Sequence, residues 1–148
     1  MFRGITQLSL DSKGRLAIPT KYRDEFATSC AGNIVVTADP SRCLLIYPRP
    51  AWEPIEQKLN SLSGFDPRIR GLQRLLIGNA CDVEMDGSGR ILINPPLRQF
   101  AELTKEVVLA GQGTKLELWD SDRWNQEIEA ALACKNGDIP PELEGFSL

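Results

Sequence analysis

The sequence predicts an α+β fold, mainly β, in which two β-β-α-β-β units stand in tandem with linking and C-terminal helices. Three observations predict it. First, Leu10-Asp11-Ser12-Lys13-Gly14-Arg15-Leu16-Ala17-Ile18 returns as Met85-Asp86-Gly87-Ser88-Gly89-Arg90-Ile91-Leu92-Ile93, displaced by 75 positions, so the chain is an internal duplication. Second, each copy is followed by short apolar runs of strand length, partly β-branched and bounded by turn residues. Third, a tryptophan with apolar partners at helical spacing closes each copy, Trp52 with Ile55 and Leu59, and Trp124 with Ile128, Ala131 and Leu132. A chain of 148 residues, 42% of them hydrophobic, is enough for one compact domain or two small ones with an ordinary core.

Residues 1–50 make the first unit. Residues 5–10 alternate, Leu8 and Leu10 apolar and Gln7 and Ser9 polar, as a half-buried strand does. Gly14 permits a tight turn, and residues 15–18 return as the second strand of a hairpin. Thr20 caps a short helix from Lys21 to about Ala27, with Tyr22 and Phe26 four apart on one face. Residues 34–37 and 43–47 are strands, joined by the turn chemistry of Ala38-Asp39-Pro40-Ser41-Arg42.

Residues 51–78 read as a helical connector. Pro48 and Pro50 break the sheet, and Pro54 fits the first turn of a helix carrying Trp52, Ile55, Leu59 and Leu62. Asp66-Pro67 starts another helix, whose stripe of Ile69, Leu72, Leu75 and Leu76 ends near Gly78. Residues 79–122 repeat the plan, with strands over 83–85 and 91–93, a short helix after Pro95-Pro96, and strands over 107–110 and 115–119 joined at Gly111-Gln112-Gly113-Thr114. Residues 123–148 hold the C-terminal helix, stopped at Asn136-Gly137, and an irregular tail from Asp138 to Leu148.

The formal charge of −3 is unevenly spread: residues 1–50 carry seven bases against four acids, and residues 78–148 carry six bases against thirteen acids. Phosphate attraction is local, acting within a Debye length of about 8 Å, so the first unit offers a nucleic-acid surface on an acidic protein. Enzyme chemistry finds little to work with. The absence of histidine removes the commonest general base, the common triads and the usual zinc ligand. Cys30, Cys43, Cys81 and Cys134 form no C-x-x-C pair and read as free, mostly packed thiols. Gly111-Gln112-Gly113 lies between strands and opens no helix, so it is a turn and not a dinucleotide site. Asp82, Glu84 and Asp86 share one strand face suited to Mg²⁺ or Ca²⁺, yet their first-copy equivalents are Gln7, Ser9 and Asp11, which favours a solvated face. No apolar run approaches the roughly 20 residues that span a bilayer, and the first residues lack a signal-peptide core, so a cytoplasmic protein with no membrane partner is expected.

In each copy an arginine follows the turn glycine and an aspartate stands four residues earlier. Such a carboxylate accepts hydrogen bonds from turn N–H groups or from the arginine, fixing a guanidinium at one angle. Arg68, Arg70 and Arg74 form a second basic cluster, read as a solvated helix face, and Trp52 and Trp124 are read as packing anchors.

With these residues in hand, the chain resembles the bacterial MraZ family, whose members carry two SpoVT-AbrB-type units, each marked by aspartate, three residues and arginine. The likeness runs through Met1-Phe2-Arg3-Gly4, Asp11 to Arg15, Pro19-Thr20 with Tyr22-Arg23, Leu44 to Pro48, Gln73-Arg74-Leu75-Leu76, Met85-Asp86-Gly87 with Gly89-Arg90, and Glu117-Leu118-Trp119. The resemblance implies a swapped-hairpin (AbrB-like) double β-barrel with the two units intertwined. It implies a cytoplasmic, nucleoid-associated transcription factor, a repressor of the division and cell-wall gene cluster including its own gene, without enzyme activity or cofactor. Its partners would be double-stranded DNA, at short direct repeats near the promoter, and itself, as a cyclic homo-oligomer. Carried onto this sequence, Arg15 reaches a base edge or phosphate, Lys13, Arg3, Lys21 and Arg23 neutralise phosphates, and Asp11 orients the arginine. Asp86 and Arg90 are the second-copy pair, with Ser88 in place of Lys13. The rival expectation is an antitoxin-like protein-interaction module without specific DNA binding.

Overall fold

The computed structural model describes residues 1–134 and 140–147. The first unit consists of β1 (Ile5–Ser9), β2 (Arg15–Ala17), α1 (Thr20–Cys30), β3 (Asn33–Ala38) and β4 (Leu44–Pro48). The connector holds α2 (Arg49–Ser61) and α3 (Pro67–Leu76). The second unit repeats the first as β5 (Cys81–Glu84), β6 (Arg90–Leu92), α4 (Pro95–Phe100), β7 (Glu106–Gly111) and β8 (Leu116–Asp120), followed by α5 (Ser121–Ala133) and a 3-10 turn, Pro141–Leu143.

Hydrogen bonding exchanges the strands between units. A six-stranded antiparallel sheet runs β1-β7-β8-β4-β3-β5, and β2 and β6 pair in a separate two-stranded ladder. Replacing each strand by its counterpart in the other unit reverses this order and leaves it otherwise unchanged, so the two units are related by a pseudo-twofold axis. The axis crosses the ladders where counterparts face each other, at Leu16 opposite Ile91 and at Leu45 opposite Glu117. The hairpins expected at residues 5–18 and 83–93 are therefore corners. The turns form, but β1 pairs with β7, β5 with β3, and β2 with β6. The resemblance's closed barrel is not formed, because β1 and β5 remain the edges of the large sheet.

Burial explains the exchange. One apolar cluster fills the space between the large sheet and the β2–β6 ladder, with Leu16, Ile18, Ile91 and Ile93 meeting Ile34, Ile46, Leu109 and Leu118. A second lies on the opposite face, where Val35, Leu45, Tyr47, Val108 and Trp119 gather around Trp52 of α2. β4 is buried along its whole length, as its unbroken apolar run requires. Trp52 packs on Tyr47 with ring centroids 5.5 Å apart, the anchor its position predicts. Trp124 is only half-buried, edge-on to Trp119 at 6.0 Å.

Two helix starts differ from expectation. Thr20 is the first residue of α1 and caps nothing; the cap position belongs to Pro19, whose carbonyl accepts from the N–H groups of Tyr22 and Arg23. Pro19 keeps a helix-compatible φ of −54°, and its ψ of 142° supplies the non-helical geometry one residue earlier. Likewise α2 starts at Arg49, directly after β4, with Pro50 in its first turn where N–H groups need no partner. Pro54 therefore falls inside the helix, where it forgoes one backbone bond while burial of Trp52 secures the segment. Asp66 does cap α3, accepting from the Arg68 N–H. The stop at Asn136-Gly137 and the tail's residues 138, 139 and 148 lie outside the described residues. Cys43 is buried, Cys30 and Cys81 half-buried and Cys134 exposed, all as free thiols.

Candidate nucleic-acid interface

Each turn is built by its aspartate. Asp11 Oδ1 accepts from the N–H groups of Lys13 and Arg15, both at 2.9 Å, while Oδ2 takes Nε–H of Arg15 at 2.6 Å. Asp86 repeats the set, with Oδ1 accepting from Ser88 and Arg90 N–H at 2.9 Å and Oδ2 from Arg90 Nε–H at 3.0 Å. Gly14 at φ +81° and Gly89 at φ +77° occupy the left-handed region that closes each turn. Hydrogen bonds to the charged form favour it. Led by the Arg15 backbone N–H, they hold the Asp11 carboxyl at about 2, below its ordinary 3.8, and those led by the Arg90 N–H lower Asp86 in the same direction. Both pairings were anticipated from the four-residue spacing, and both form.

The β2–β6 ladder brings the two turns together. Arg15 stands opposite Leu92 and Ala17 opposite Arg90, flanking the central Leu16–Ile91 pair. Directly opposed residues share a face, and alternate residues share it too. Leu16 and Ile91 therefore point inward and are buried, while Arg15, Ala17, Arg90 and Leu92 form the outer face. On that face Arg15 and Arg90 are diagonal neighbours, a relation that spans about 7–8 Å. Among the described residues no protein hydrogen bond reaches the η nitrogens of either arginine. Each guanidinium is held at Nε and open at its fork.

Each turn is also braced by the other unit. The Arg23 side chain lies across Gly89, where an added Cβ would be 2.5 Å from its Cζ, and Arg98 of α4 lies across Gly14 with the same 2.5 Å. Arg23 Nε–H donates to the Ile18 carbonyl at 2.6 Å, whereas the buried Nε of Arg98 has no partner. Gly89 and Gly14 carbonyls accept from the Ile18 and Ile93 N–H groups at 2.9 and 3.0 Å, closing the exchange. Arg98 was not among the residues singled out from the sequence. Its signal was present, since it follows Arg23 by the same 75 positions that separate the aspartates.

The five bases assigned to the first unit do not form one patch. Lys13 is exposed on the first turn beside Arg15. Arg23 serves the second turn. Arg3 and Lys21 are exposed near the chain start, where the Arg3 carbonyl accepts from the Tyr22 hydroxyl and the Lys21 ammonium lies beside Gly4. The length of β1, roughly 17 Å for five residues, separates Arg3 from the first turn. Asp82 pairs with Arg49, and among the described residues no group of three or more carboxylate or thiol side chains is arranged to hold a metal. Among the described residues no helix is long and apolar enough to cross a membrane.

A family model described as "MraZ protein, putative antitoxin-like" matches residues 1–75 and again 76–137. The chain is 76% identical to a protein of Nitrosomonas eutropha and 69% identical to one of Nitrosospira multiformis, each over 148 residues and the whole of both chains. A protein of Pseudomonas aeruginosa is 52% identical over 151 aligned positions, again covering both chains completely. All three carry the name "Transcriptional regulator MraZ".

Proposed function

The chain belongs to the MraZ family, and on that premise we propose that it is a DNA-binding transcriptional regulator that meets its operator with the outer face of the β2–β6 ladder. One observation carries this reading: the exchange of strands presents Arg15 and Arg90 side by side, each fixed at Nε by its aspartate and open at its fork. A fork so held suits the O6 and N7 atoms of guanine, or a phosphate, without further ordering of the side chain. Lys13 is a point charge at the rim of the same face and takes phosphate. Ser88 leaves the second turn without that charge, so the first turn leads and the second assists. Arg3 and Lys21 neutralise flanking phosphates, and Arg23 and Arg98 keep the turns in register.

The finer reading is a cytoplasmic, nucleoid-associated repressor of the division and cell-wall gene cluster, including its own gene. One ladder makes few base contacts and binds weakly alone. A cyclic assembly on direct repeats presents several ladders at once, and the later contacts form at high effective concentration. The role printed for the relatives is that of a transcriptional regulator.

Titration of the DNA upstream of this protein's own gene tests the proposal. Arg15→Ala is expected to abolish discrimination between that DNA and random sequence, at about 1–3 kcal/mol per site, with fold and assembly retained. Unchanged discrimination would remove the site assignment. Affinity should fall linearly with log salt as phosphate contacts are lost; a salt-insensitive protein partner in place of DNA would favour the interaction-module reading.

A further inference from the structure

Two helices of this chain are covered on one side only: α3 packs Leu75 and Leu76, and α5 packs Trp124, against the apolar clusters, and the rest of each helix is largely open. No residue of α3 is buried, and in α5 every residue from Asn125 onward is exposed. Isolated helices of 10 and 13 residues are marginal in water, and their stability ordinarily comes from covering an apolar face. Each borders further exposed apolar surface. At the corner between α2 and α3, Phe65 is 98% exposed and Leu62 stands open beside Arg70 and Arg74. Along α5 a groove runs between the helix and β8, floored by Trp119, Trp124, Ile128 and Ala131, with Glu117 and Glu127 on its walls.

The charges of the two surfaces are opposite. α3 carries three arginines and no acid, and among the described residues only Arg68 is paired, with Asp66. α5 carries Asp122, Glu127 and Glu129 against a single base, Arg123, which is itself paired with Glu102. We propose that the α2–α3 corner of one copy seats on the α5 groove of a second copy, Phe65 and Leu62 entering between Trp124 and Ile128 while Arg70 and Arg74 meet Glu127 and Glu117. Apolar area supplies the affinity, and the charges fix which face meets which. The contact is heterologous, because each copy keeps one corner and one groove unused after pairing; such a contact repeats from copy to copy and gives a ring where the rotation between copies closes. This rests on the assembly part of the proposed function and names the surfaces that would make it.

Two variants, each altered on one exposed surface, decide the matter. Arg70→Glu with Arg74→Glu removes the corner, and Glu127→Lys with Ile128→Lys removes the groove; circular dichroism and melting confirm that both remain folded. Native mass spectrometry at micromolar protein is expected to show wild-type closed oligomers and each variant alone as a monomer. An equimolar mixture of the two variants should give a one-to-one heterodimer and nothing larger, since only one intact corner and one intact groove remain. Combining Arg70→Glu and Arg74→Glu with Glu117→Lys and Glu127→Lys in one chain should restore assembly, at higher protein concentration, by exchanging the charges. Homodimers of either variant, or a mixture that stays monomeric, would overturn the proposal. Variants that assemble like the wild type would overturn it while leaving assembly itself standing. A monomeric wild type would remove both this interface and the assembly reading, with DNA binding by the ladder judged separately.

Discussion

Asp11 is the residue on which the first turn depends, because its two oxygens have different duties: Oδ1 closes the turn and Oδ2 holds Arg15. Asp11→Asn separates them. The amide keeps an oxygen for the two N–H groups but presents NH₂ to the Arg15 Nε, so the turn should survive while the arginine is released. The expected result is an unchanged melting temperature with discrimination reduced toward that of Arg15→Ala, read from the ratio of operator to random-DNA affinity. The pH dependence follows from the depressed carboxyl. The folded value near 2 lies below the ordinary 3.8, so the unfolded chain binds the proton first as pH falls. Stability from this group is complete above about pH 4 and is lost as pH drops through about 2. An NMR titration of the Asp11 carboxyl should therefore show a midpoint well below that of a free aspartate. Lys13 acts on a different quantity. Lys13→Ala should weaken binding to all sequences alike and flatten the salt slope by about 0.9, and Ser88→Lys should steepen it by a similar amount. The aspartate and arginine were legible in the sequence because their partners lie within four residues. Arg98 was legible only through the duplication, as the counterpart of Arg23, because its contact is with a glycine of the other unit and no local pattern announces it.

Turns, strands and helices show where local reading reaches its limit. A strand, a turn glycine and a second strand carry the same alternation whether the strands pair with each other or with another unit, since alternation sets the buried face and not the neighbour. The turns at Gly14 and Gly89 were therefore readable and the pairing partners of β1, β2, β5 and β6 were not. Close packing of the exchange makes these glycines doubly constrained. Gly89→Ala would force a left-handed backbone, at about 1–2 kcal/mol, and drive a methyl group into the Arg23 side chain. Gly87→Ala, two residues away, meets nothing within 4 Å and has no positive φ. Urea unfolding should show Gly89→Ala destabilised by more than the backbone figure alone and Gly87→Ala close to wild type. A loss at Gly89→Ala no larger than the backbone figure would mean that the brace across the turn does not form.

At the scale of the whole molecule the duplication was plain in the sequence, because 75-residue spacing repeats a nine-residue pattern, and the exchange between units was reached through family resemblance. What neither supplied was the asymmetry at the centre of the large sheet, where the pseudo-twofold axis crosses β4 and β8 with Leu45 opposite Glu117. That pair decides how each half should behave alone. A fragment of residues 1–78 has lost every partner of β1 and β2 and one neighbour each of β3 and β4, so as a monomer it leaves unpaired edges on all four strands. Two copies can restore every pairing by repeating the exchange, with Leu45 facing Leu45 at the axis. Residues 79–134 would instead set Glu117 against Glu117, and like charges directly opposite are destabilising in a sheet. The first fragment should therefore run as a dimer in size-exclusion chromatography, with a melting temperature that rises with concentration. The second should stay unfolded alone at neutral pH and fold when mixed with the first, where Leu45 again faces Glu117. Substituting Glu117→Leu should let the second fragment dimerise by itself. A folded monomer of either fragment would show that a unit closes its own hairpin, and would contradict the exchange on which the DNA face depends.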